Sequence, residues 1–186
     1  MLFRSVHGCE CSVFSTDVTA DYILENGFDG IFITNGPGDP EPVKKVITLV
    51  KQLLGKLPIA GICLGHQIMG LALGGKAYKL KFGHHGANHP IMNMDTRKVE
   101  ITSQNHGFAI DHGSLNAEEV EVTHINLNDQ TVAGLRHKPT GAFSVQYHPE
   151  SCPGPHDSRY FFENYIALME RYKENPTHKK GQHLHA

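Results

Sequence analysis

The stretch that decides the fold reads LPIAGICLGHQIMGLALGG, from Leu57 to Gly75. Its first part, residues 58–62, is an apolar run typical of a buried parallel strand. Apolar residues then recur at helical spacing after Gly65, and the final glycine pair predicts the end of that helix. The sequence therefore predicts a strand and a helix joined by a sharp turn, with Cys63 at the apex.

Cys63 lies in a G-x-C-x-G pattern with Gly61 and Gly65, which is the spacing of a nucleophile elbow. Small residues on both sides let the strand and helix pack closely, so the side chain at the apex stands clear of the sheet. The helix N-terminus behind it has free N–H groups and a positive dipole end, which favour a thiolate. Cys63 is therefore a candidate nucleophile, and the alternative is a buried structural cysteine at a strand end.

A second candidate group, His148-Pro149-Glu150, follows a predicted strand over residues 142–147. Pro149 restricts His148 to an extended conformation, so residues 148 and 150 project to a similar side. The carboxylate can accept the Nδ1–H hydrogen bond and stabilise the imidazolium, which leaves the other ring nitrogen to take a thiol proton. Together with Cys63 these residues form a candidate nucleophile, base and orienting carboxylate. A His-Pro-Glu sequence on its own is more often part of a surface loop.

The loop NGPGDP, residues 35–40, follows a predicted buried strand over residues 30–34. Its glycines and prolines predict a rigid loop at the carboxyl end of a strand, where open α/β sheets place ligands. Phosphate binding is a poor fit, because the prolines remove N–H donors and no G-K-[ST] follows. Two interpretations remain: the N–H of Gly38 is a donor to an oxyanion, or the loop is a plain strand-to-helix turn.

The composition is that of an ordinary one-domain protein, with 186 residues of which 39% are hydrophobic and 19% charged. A net charge of -2 gives no reason to expect a nucleic acid or an anionic membrane as a partner. No apolar run approaches the length of a transmembrane helix, and the stretch that starts with Met1-Leu2-Phe3-Arg4 has neither the long apolar core nor the cleavage pattern of a signal peptide. The cysteines lack disulfide or zinc spacing, which favours a reducing cytoplasm. They are Cys9, Cys11, Cys63 and Cys152.

Helices and strands alternate up to about residue 80, and strands dominate after it. This order predicts an α/β fold, namely a doubly wound, mostly parallel sheet flanked by helices with an antiparallel extension. Near the N-terminus, a strand is predicted over residues 10–14 and a short helix over residues 17–24.

Two later segments rich in glycine and histidine are predicted to be irregular: a polar loop over residues 82–90 and a turn over residues 105–109. The three histidines of the first segment have no fixed ligand spacing, so a solvated loop is predicted there and no metal site. The chain is predicted to end with a helix over residues 159–173 and a disordered polar tail over residues 174–186.

Five motifs carry a family resemblance. GICLGHQ with a downstream HPE resembles the class I, or triad, glutamine amidotransferases, and NGPGDP is similar to the oxyanion strand of that family. TSQNHGFAID, KFGHHGANHPI and HPESCPGPHDS narrow the resemblance to the glutamine-hydrolysing domain of the carbamoyl phosphate synthetase small subunit. The motifs occur in family order and cover residues 8–170.

The resemblance implies a role for each matching residue. Cys63 would attack the glutamine carboxamide to give a γ-glutamyl thioester, His148 would be the general base and acid, and Glu150 would orient it. The backbone N–H groups of Gly38 and Leu64 would form the oxyanion hole. The residues implied to bind glutamine are Gly36, Gly38, Leu64, Gln67, Asn105, Gly107 and Phe108.

The resemblance also implies the partners. Glutamine would be the substrate, and ammonia would pass to a carbamoyl phosphate synthetase large subunit that binds ATP and bicarbonate, in the arginine and pyrimidine pathways. This chain would hold neither a cofactor nor a metal.

Two alternatives remain. One is an amidotransferase serving another synthetase, against which the QNHGFA segment argues. The other is a truncated, non-catalytic remnant. The family's small subunit has a separate N-terminal domain and a first strand ahead of the position of Met1, so the domain over residues 1–173 is expected to lack its first strand.

Overall fold

The computed structural model describes residues 7–150 and 157–174, which form one mixed sheet flanked by helices. The helices are α1 (Ala20–Glu25), α2 (Lys44–Leu53), α3 (Leu64–Ala72) and α4 (Tyr160–Glu174), with a 3-10 turn at His112–Ser114. The strands are β1 (Ile31–Ile33), β2 (Ile59–Ile62), β3 (Ala77–Asn93), β4 (Val99–Ile110), β5 (Val120–Asn126), β6 (Val132–His137) and β7 (Phe143–Val145).

The seven strands are ordered β1-β2-β7-β6-β5-β3-β4. The pairs β1–β2 and β2–β7 are parallel, and the other neighbouring pairs are antiparallel. The predicted α/β fold with an antiparallel extension is confirmed, but the extension is larger than expected, so most strand pairs are not parallel. Parallel strands need long crossover connections, whereas most of the later strands are joined by short ones that favour antiparallel pairing.

Helices cover both faces of the parallel part of the sheet, as a doubly wound arrangement requires. All four residues of β2 are buried, and their side chains alternate between the two faces. Ile59 packs on one side with Leu53 of α2 and Met69 of α3. Ala60 packs on the other side with Phe161 of α4. The turn after β2 therefore lies at the end of the most enclosed strand of the sheet.

Two segments predicted to be irregular lie within long strands. Residues 82–90 belong to β3 and residues 105–109 to β4, and the two strands pair with each other. The register shifts between Lys79 and His84 and again between Gly86 and His89, so β3 is bulged at its glycines. Composition alone suggested loops, but pairing with a distant strand determines the backbone here.

The strand predicted over residues 10–14 is wrong, because no described strand pairs with this segment and Val13 is 84% exposed. An unpaired strand has no ladder to satisfy its backbone groups. Within the described residues, β1 pairs only with β2, so β1 forms one edge of the sheet.

The short helix α1 is confirmed but begins later than predicted. Thr19 ends the preceding extended segment, and its hydroxyl accepts a hydrogen bond from the N–H of Tyr22. The helix predicted near the C-terminus is confirmed as α4. Cys152 and residues 175–186 of the predicted tail lie outside the described residues. In the described part of the chain, every helix is too short or too polar to cross a bilayer.

Candidate active site

Cys63 occupies the turn between β2 and α3 in a strained backbone conformation, with φ 54° and ψ -104°. Positive φ is uncommon for a residue with a Cβ atom, and strain of this kind costs about 1–3 kcal/mol. Two hydrogen bonds hold the turn: the N–H of Cys63 donates to Val145 O at 2.9 Å, and its carbonyl accepts from the N–H of Gln67 at 3.2 Å. The predicted elbow is present, and it is tied to both β7 and α3.

The two glycines around Cys63 allow the helix to lie directly on the strands. A Cβ atom at Gly65 would lie 2.1 Å from Ile33 O, and one at Gly61 would lie 2.8 Å from the carbonyl group of Gly65. The side chain of Cys63 does not cap α3. The N–H groups of the first turn of α3, including that of Leu64, therefore receive no hydrogen bond from this side chain.

His148 follows β7 and is held at both its backbone and its ring. Its N–H donates to Ser103 O at 2.9 Å. Its Nδ1 lies 2.6 Å from Glu150 Oε1, and because a carboxylate accepts, Nδ1 carries the hydrogen. This tautomer leaves Nε2 of the ring for Cys63, so Cys63, His148 and Glu150 are brought together in the predicted order.

The electrostatics of the His148 ring favour its protonated form. The hydrogen bond with Cys63 and then the one with Glu150 raise the pKa of His148 to about 10, although burial opposes the shift. The arrangement is therefore suited to a thiolate–imidazolium pair, which is the reactive form of a cysteine nucleophile.

The two neighbouring histidines, His66 and His106, do not compete with His148 for its proton. His66 and His106 are buried, and burial is the largest cause that lowers their pKa values, to about 3 and about 4 respectively. Nδ1 of His66 lies 3.0 Å from the hydroxyl of Ser144 beneath α3. Both rings are therefore neutral at physiological pH, whereas His148 retains its charge.

The NGPGDP loop lies against the start of α3. A Cβ atom at Gly36 would lie 2.8 Å from Cδ2 of Leu64, so the loop and the helix meet closely. Gly38 has φ 91°, a conformation that favours glycine, and the space around its Cα is open. The loop that carries Gly38 is thus beside the elbow, although its N–H as an oxyanion donor stays a prediction.

Gln67 is almost fully buried on α3, and its amide group is oriented by β4 and by the end of β7. Its Nε2 donates to Phe108 O at 2.9 Å and to Gln146 Oε1 at 3.1 Å. These two bonds use both hydrogens of the amide, so Oε1 is the atom that Gln67 can offer to a ligand.

Asn105 on β4 reaches the nucleophile through its backbone, since the thiol of Cys63 contacts Asn105 O at 3.9 Å. Gly107 lies two residues further along β4, and a Cβ atom there would meet no other atom within 4 Å. Among the predicted glutamine-binding residues, Asn105 thus contacts the thiol, Gln67 contacts Phe108, and Gly36 lies against Leu64. Their roles toward glutamine stay predictions.

Several residues that build the site were not identified from the sequence. Ser103 holds the backbone of His148, and Gln146 orients the side chain of Gln67. These contacts join residues more than 40 positions apart in the chain, so no local pattern marks them. The alternation of residues 98–102 predicts a strand, which is confirmed, but β4 continues beyond it through Ser103 to Ile110.

The histidine segment predicted to be a solvated loop is partly buried. Nε2 of His84 lies 2.8 Å from Asp129 Oδ2, and its Nδ1 lies 3.2 Å from Nε2 of His106. Across residues 7–150 and 157–174, no group of three or more His, Cys, Asp or Glu side chains is arranged to hold a metal ion.

The fold and the site together define a class of protein in which a cysteine at a strand–helix turn is paired with histidine and glutamate. Residues 2–168 match the family of class-I glutamine amidotransferases, and the chain belongs to it.

The chain is similar to carbamoyl phosphate synthase small chains. That of Staphylococcus saprophyticus is 52% identical over 169 residues, covering 91% of this chain and 46% of the relative. That of Chlorobaculum tepidum is 54% identical over 172 residues, covering 91% and 47%. That of Synechocystis is 56% identical over 168 residues, covering 90% and 43%. The chain thus spans less than half the length of these relatives.

A solved structure confirms the fold. The chain superposes on a Thermoplasma acidophilum protein, described as a GMP synthase subunit, with a TM-score of 0.73. The match covers 86% of this chain and 80% of the other, at 22% sequence identity. At that identity the likeness concerns the fold alone.

Proposed function

We propose that this domain hydrolyses glutamine to glutamate and ammonia through Cys63, His148 and Glu150. The observation that carries the proposal is the His148 ring, bonded to Glu150 Oε1 at 2.6 Å and paired with the thiol at a strained elbow. Membership of the class-I amidotransferase family supports the same reaction.

The reaction follows from acyl transfer to sulfur. The thiolate of Cys63 adds to the carboxamide carbon, and the N–H groups of Leu64 and Gly38 stabilise the oxyanion. The imidazolium of His148 gives its proton to the departing nitrogen, so ammonia leaves and a γ-glutamyl thioester remains. His148 then takes a proton from water, which attacks the thioester; glutamate is released and the thiolate is restored.

The amino-acid end of glutamine would lie between α3 and β4. Gln67 offers the amide oxygen that its own hydrogen bonds leave available, which suits the ammonium group of the substrate. The other residues proposed to line this end are Gly36, Asn105, Gly107 and Phe108.

The ammonia would be used by a separate subunit. The relatives are named small chains of carbamoyl phosphate synthase, and the proposed partner is the corresponding large subunit, which would bind ATP and bicarbonate. We place this chain in the cytoplasm with that partner, in a complex that makes carbamoyl phosphate.

The test is glutamate release from L-glutamine by the purified chain, alone and with a carbamoyl phosphate synthetase large subunit. We expect Cys63→Ser to lower the rate by a factor of about a thousand or more, because the nucleophile is lost. Cys11→Ser, which alters an exposed cysteine elsewhere, is the matched control and should leave the rate unchanged.

Stimulation of the wild-type rate by the large subunit would support the proposed partner. Activity that survives Cys63→Ser would contradict the proposed triad. A folded chain that releases no glutamate under either condition would favour the non-catalytic alternative.

A further inference from the structure

His85 lies directly opposite Asn105 in the β3–β4 pair, and a hydrogen bond joins the two side chains. Nδ1 of His85 lies 2.9 Å from Asn105 Oδ1. An amide oxygen accepts hydrogen bonds, so Nδ1 of the ring must be the donor. This bond determines the orientation of the amide: Oδ1 is held by the protein, and the NH₂ group is the end that Asn105 can present to a ligand.

The local backbone is shaped to hold the His85 ring. A Cβ atom at Gly83 would lie 2.7 Å from Nε2 of His85 and 2.7 Å from His106 O, so only glycine leaves room there. Gly83 also has φ 71°. The register shifts of β3 fall on both sides of residues 84–86, which pair with residues 104–106 between the two bulges. The His85–Asn105 contact is therefore built into the strand pairing.

The oriented amide complements that of Gln67, the other side chain proposed to bind the amino-acid end of glutamine. Gln67 offers an oxygen because both hydrogens of its Nε2 are used within the protein. Asn105 offers NH₂, and its backbone oxygen contacts the thiol of Cys63, so it lies beside the reacting centre. A free amino acid needs an acceptor for its ammonium group and a donor for its carboxylate, and this pair offers one of each.

We infer that His85 is a positioning residue that turns the NH₂ group of Asn105 toward the α-carboxylate of glutamine. The inference rests on the proposed function, because it takes glutamine to be the ligand. His85 itself does not touch the reacting atoms. It acts through Asn105, and it contributes to recognition of the amino-acid end rather than to the acyl-transfer step.

The test is calorimetric binding to Cys63→Ser, which holds its ligand without turnover. In this background His85→Ala should weaken L-glutamine binding about tenfold, the effect of one hydrogen bond. It should leave binding of 4-aminobutanamide, the analogue without the α-carboxylate, unchanged. His85→Asn, which restores an N–H donor at the position of Nδ1, should recover most of the affinity.

Two controls separate this role from a general structural one. His112→Ala removes an exposed histidine on the 3-10 turn and should change neither affinity. In an Asn105→Ala background, His85→Ala should have no further effect, because the group it positions is gone. Thermal melting of each variant checks that it is folded.

An unchanged affinity of His85→Ala for glutamine would overturn the inference. An equal loss of affinity for glutamine and for 4-aminobutanamide would overturn it as well. Absence of glutamine binding by Cys63→Ser would overturn it together with the proposed substrate. The expected binding pattern in a chain that releases no glutamate would support the inference and contradict the proposed hydrolysis alone.

Discussion

At the scale of single residues, the chemistry of the site depends on the charge of one imidazole ring. Two side chains raise the pKa of His148: the thiol of Cys63 first, then Glu150. The Glu150 contribution can be measured alone in a Cys63→Ala background, where the thiol that contributes most to the shift is absent.

We predict that Glu150→Gln lowers the pKa of His148 in this background, because an amide does not stabilise the imidazolium as a carboxylate does. NMR titration of the His148 ring measures this change. Glu118→Gln, which alters an exposed carboxylate elsewhere, is the control. An unchanged ring pKa in Glu150→Gln would contradict the role given to Glu150.

The same pair makes stability depend on pH in a definite direction. The Cys63 thiol and then the Glu150 carboxylate raise the native pKa of His148 above the unfolded value of about 6.5. The stabilisation is therefore fully present below that pH and is lost as the pH rises through the native pKa. In the Cys63→Ala background, the free energy of unfolding should fall between pH 6 and pH 10. Adding Glu150→Gln should make that fall smaller, which urea unfolding measures.

At the scale of elements, the site depends on how closely α3 approaches the strands. Gly65 faces β1 with no space for a side chain, since a Cβ atom would lie 2.1 Å from Ile33 O. A backbone oxygen cannot move aside as a flexible side chain can. The helix would have to shift, and with it the N–H groups of its first turn.

We predict that Gly65→Ala lowers the free energy of unfolding by about 3 kcal/mol, the upper part of the range for overpacking. Guanidinium denaturation measures the change. Gly113→Ala is the matched control, because its Cβ atom would meet Asp111 Oδ1 at an ordinary 3.6 Å and should cost less than about 0.5 kcal/mol. Equal stability of the two variants would contradict the close packing of α3.

At the scale of the whole molecule, one partly buried side chain, Tyr160, joins α4 to the antiparallel part of the sheet through its hydroxyl group. The O–H of Tyr160 donates to Glu100 Oε1 at 2.9 Å, and its oxygen accepts from Asn93 Nδ2 at 3.0 Å. Burial raises the pKa of Glu100, and the hydrogen bonds from Tyr160 and Asn93 oppose that shift. The Tyr160 hydroxyl of α4 therefore donates one of the hydrogen bonds that the Glu100 carboxylate accepts.

We predict that Tyr160→Phe lowers the free energy of unfolding by about 1–3 kcal/mol at pH 7, because Glu100 loses a donor. The pKa of Glu100 would rise further. A raised carboxyl pKa means that stability is present below the unfolded value and is lost as the pH rises through the folded value. Tyr160→Phe should therefore lower the free energy of unfolding less at pH 4.5 than at pH 7. Urea denaturation at the two pH values measures the difference.

Tyr22→Phe, which alters a half-exposed tyrosine on α1, is the control for Tyr160→Phe. The control should change stability little at either pH. An equal loss at pH 4.5 and pH 7 in Tyr160→Phe would show that Glu100 does not depend on the Tyr160 hydroxyl.

The sequence by itself determined the local parts of this protein. The elbow could be predicted because its strand, turn and helix are contiguous, and because Gly61 and Gly65 satisfy a steric requirement that few other residues meet. The pairing of His148 with Glu150 could be predicted because proline restricts the short backbone between them. Both predictions concern residues close together in the chain.

Only the tertiary structure decided what surrounds the elbow. The glycine-rich segments of β3 and β4 are strands because they pair with each other, while residues 10–14, with a better strand pattern, lack a described partner. The contacts of Ser103 with His148 and of Gln146 with Gln67 likewise join distant segments. A β-strand obtains its backbone hydrogen bonds from another part of the chain, so its own residues do not determine where it forms.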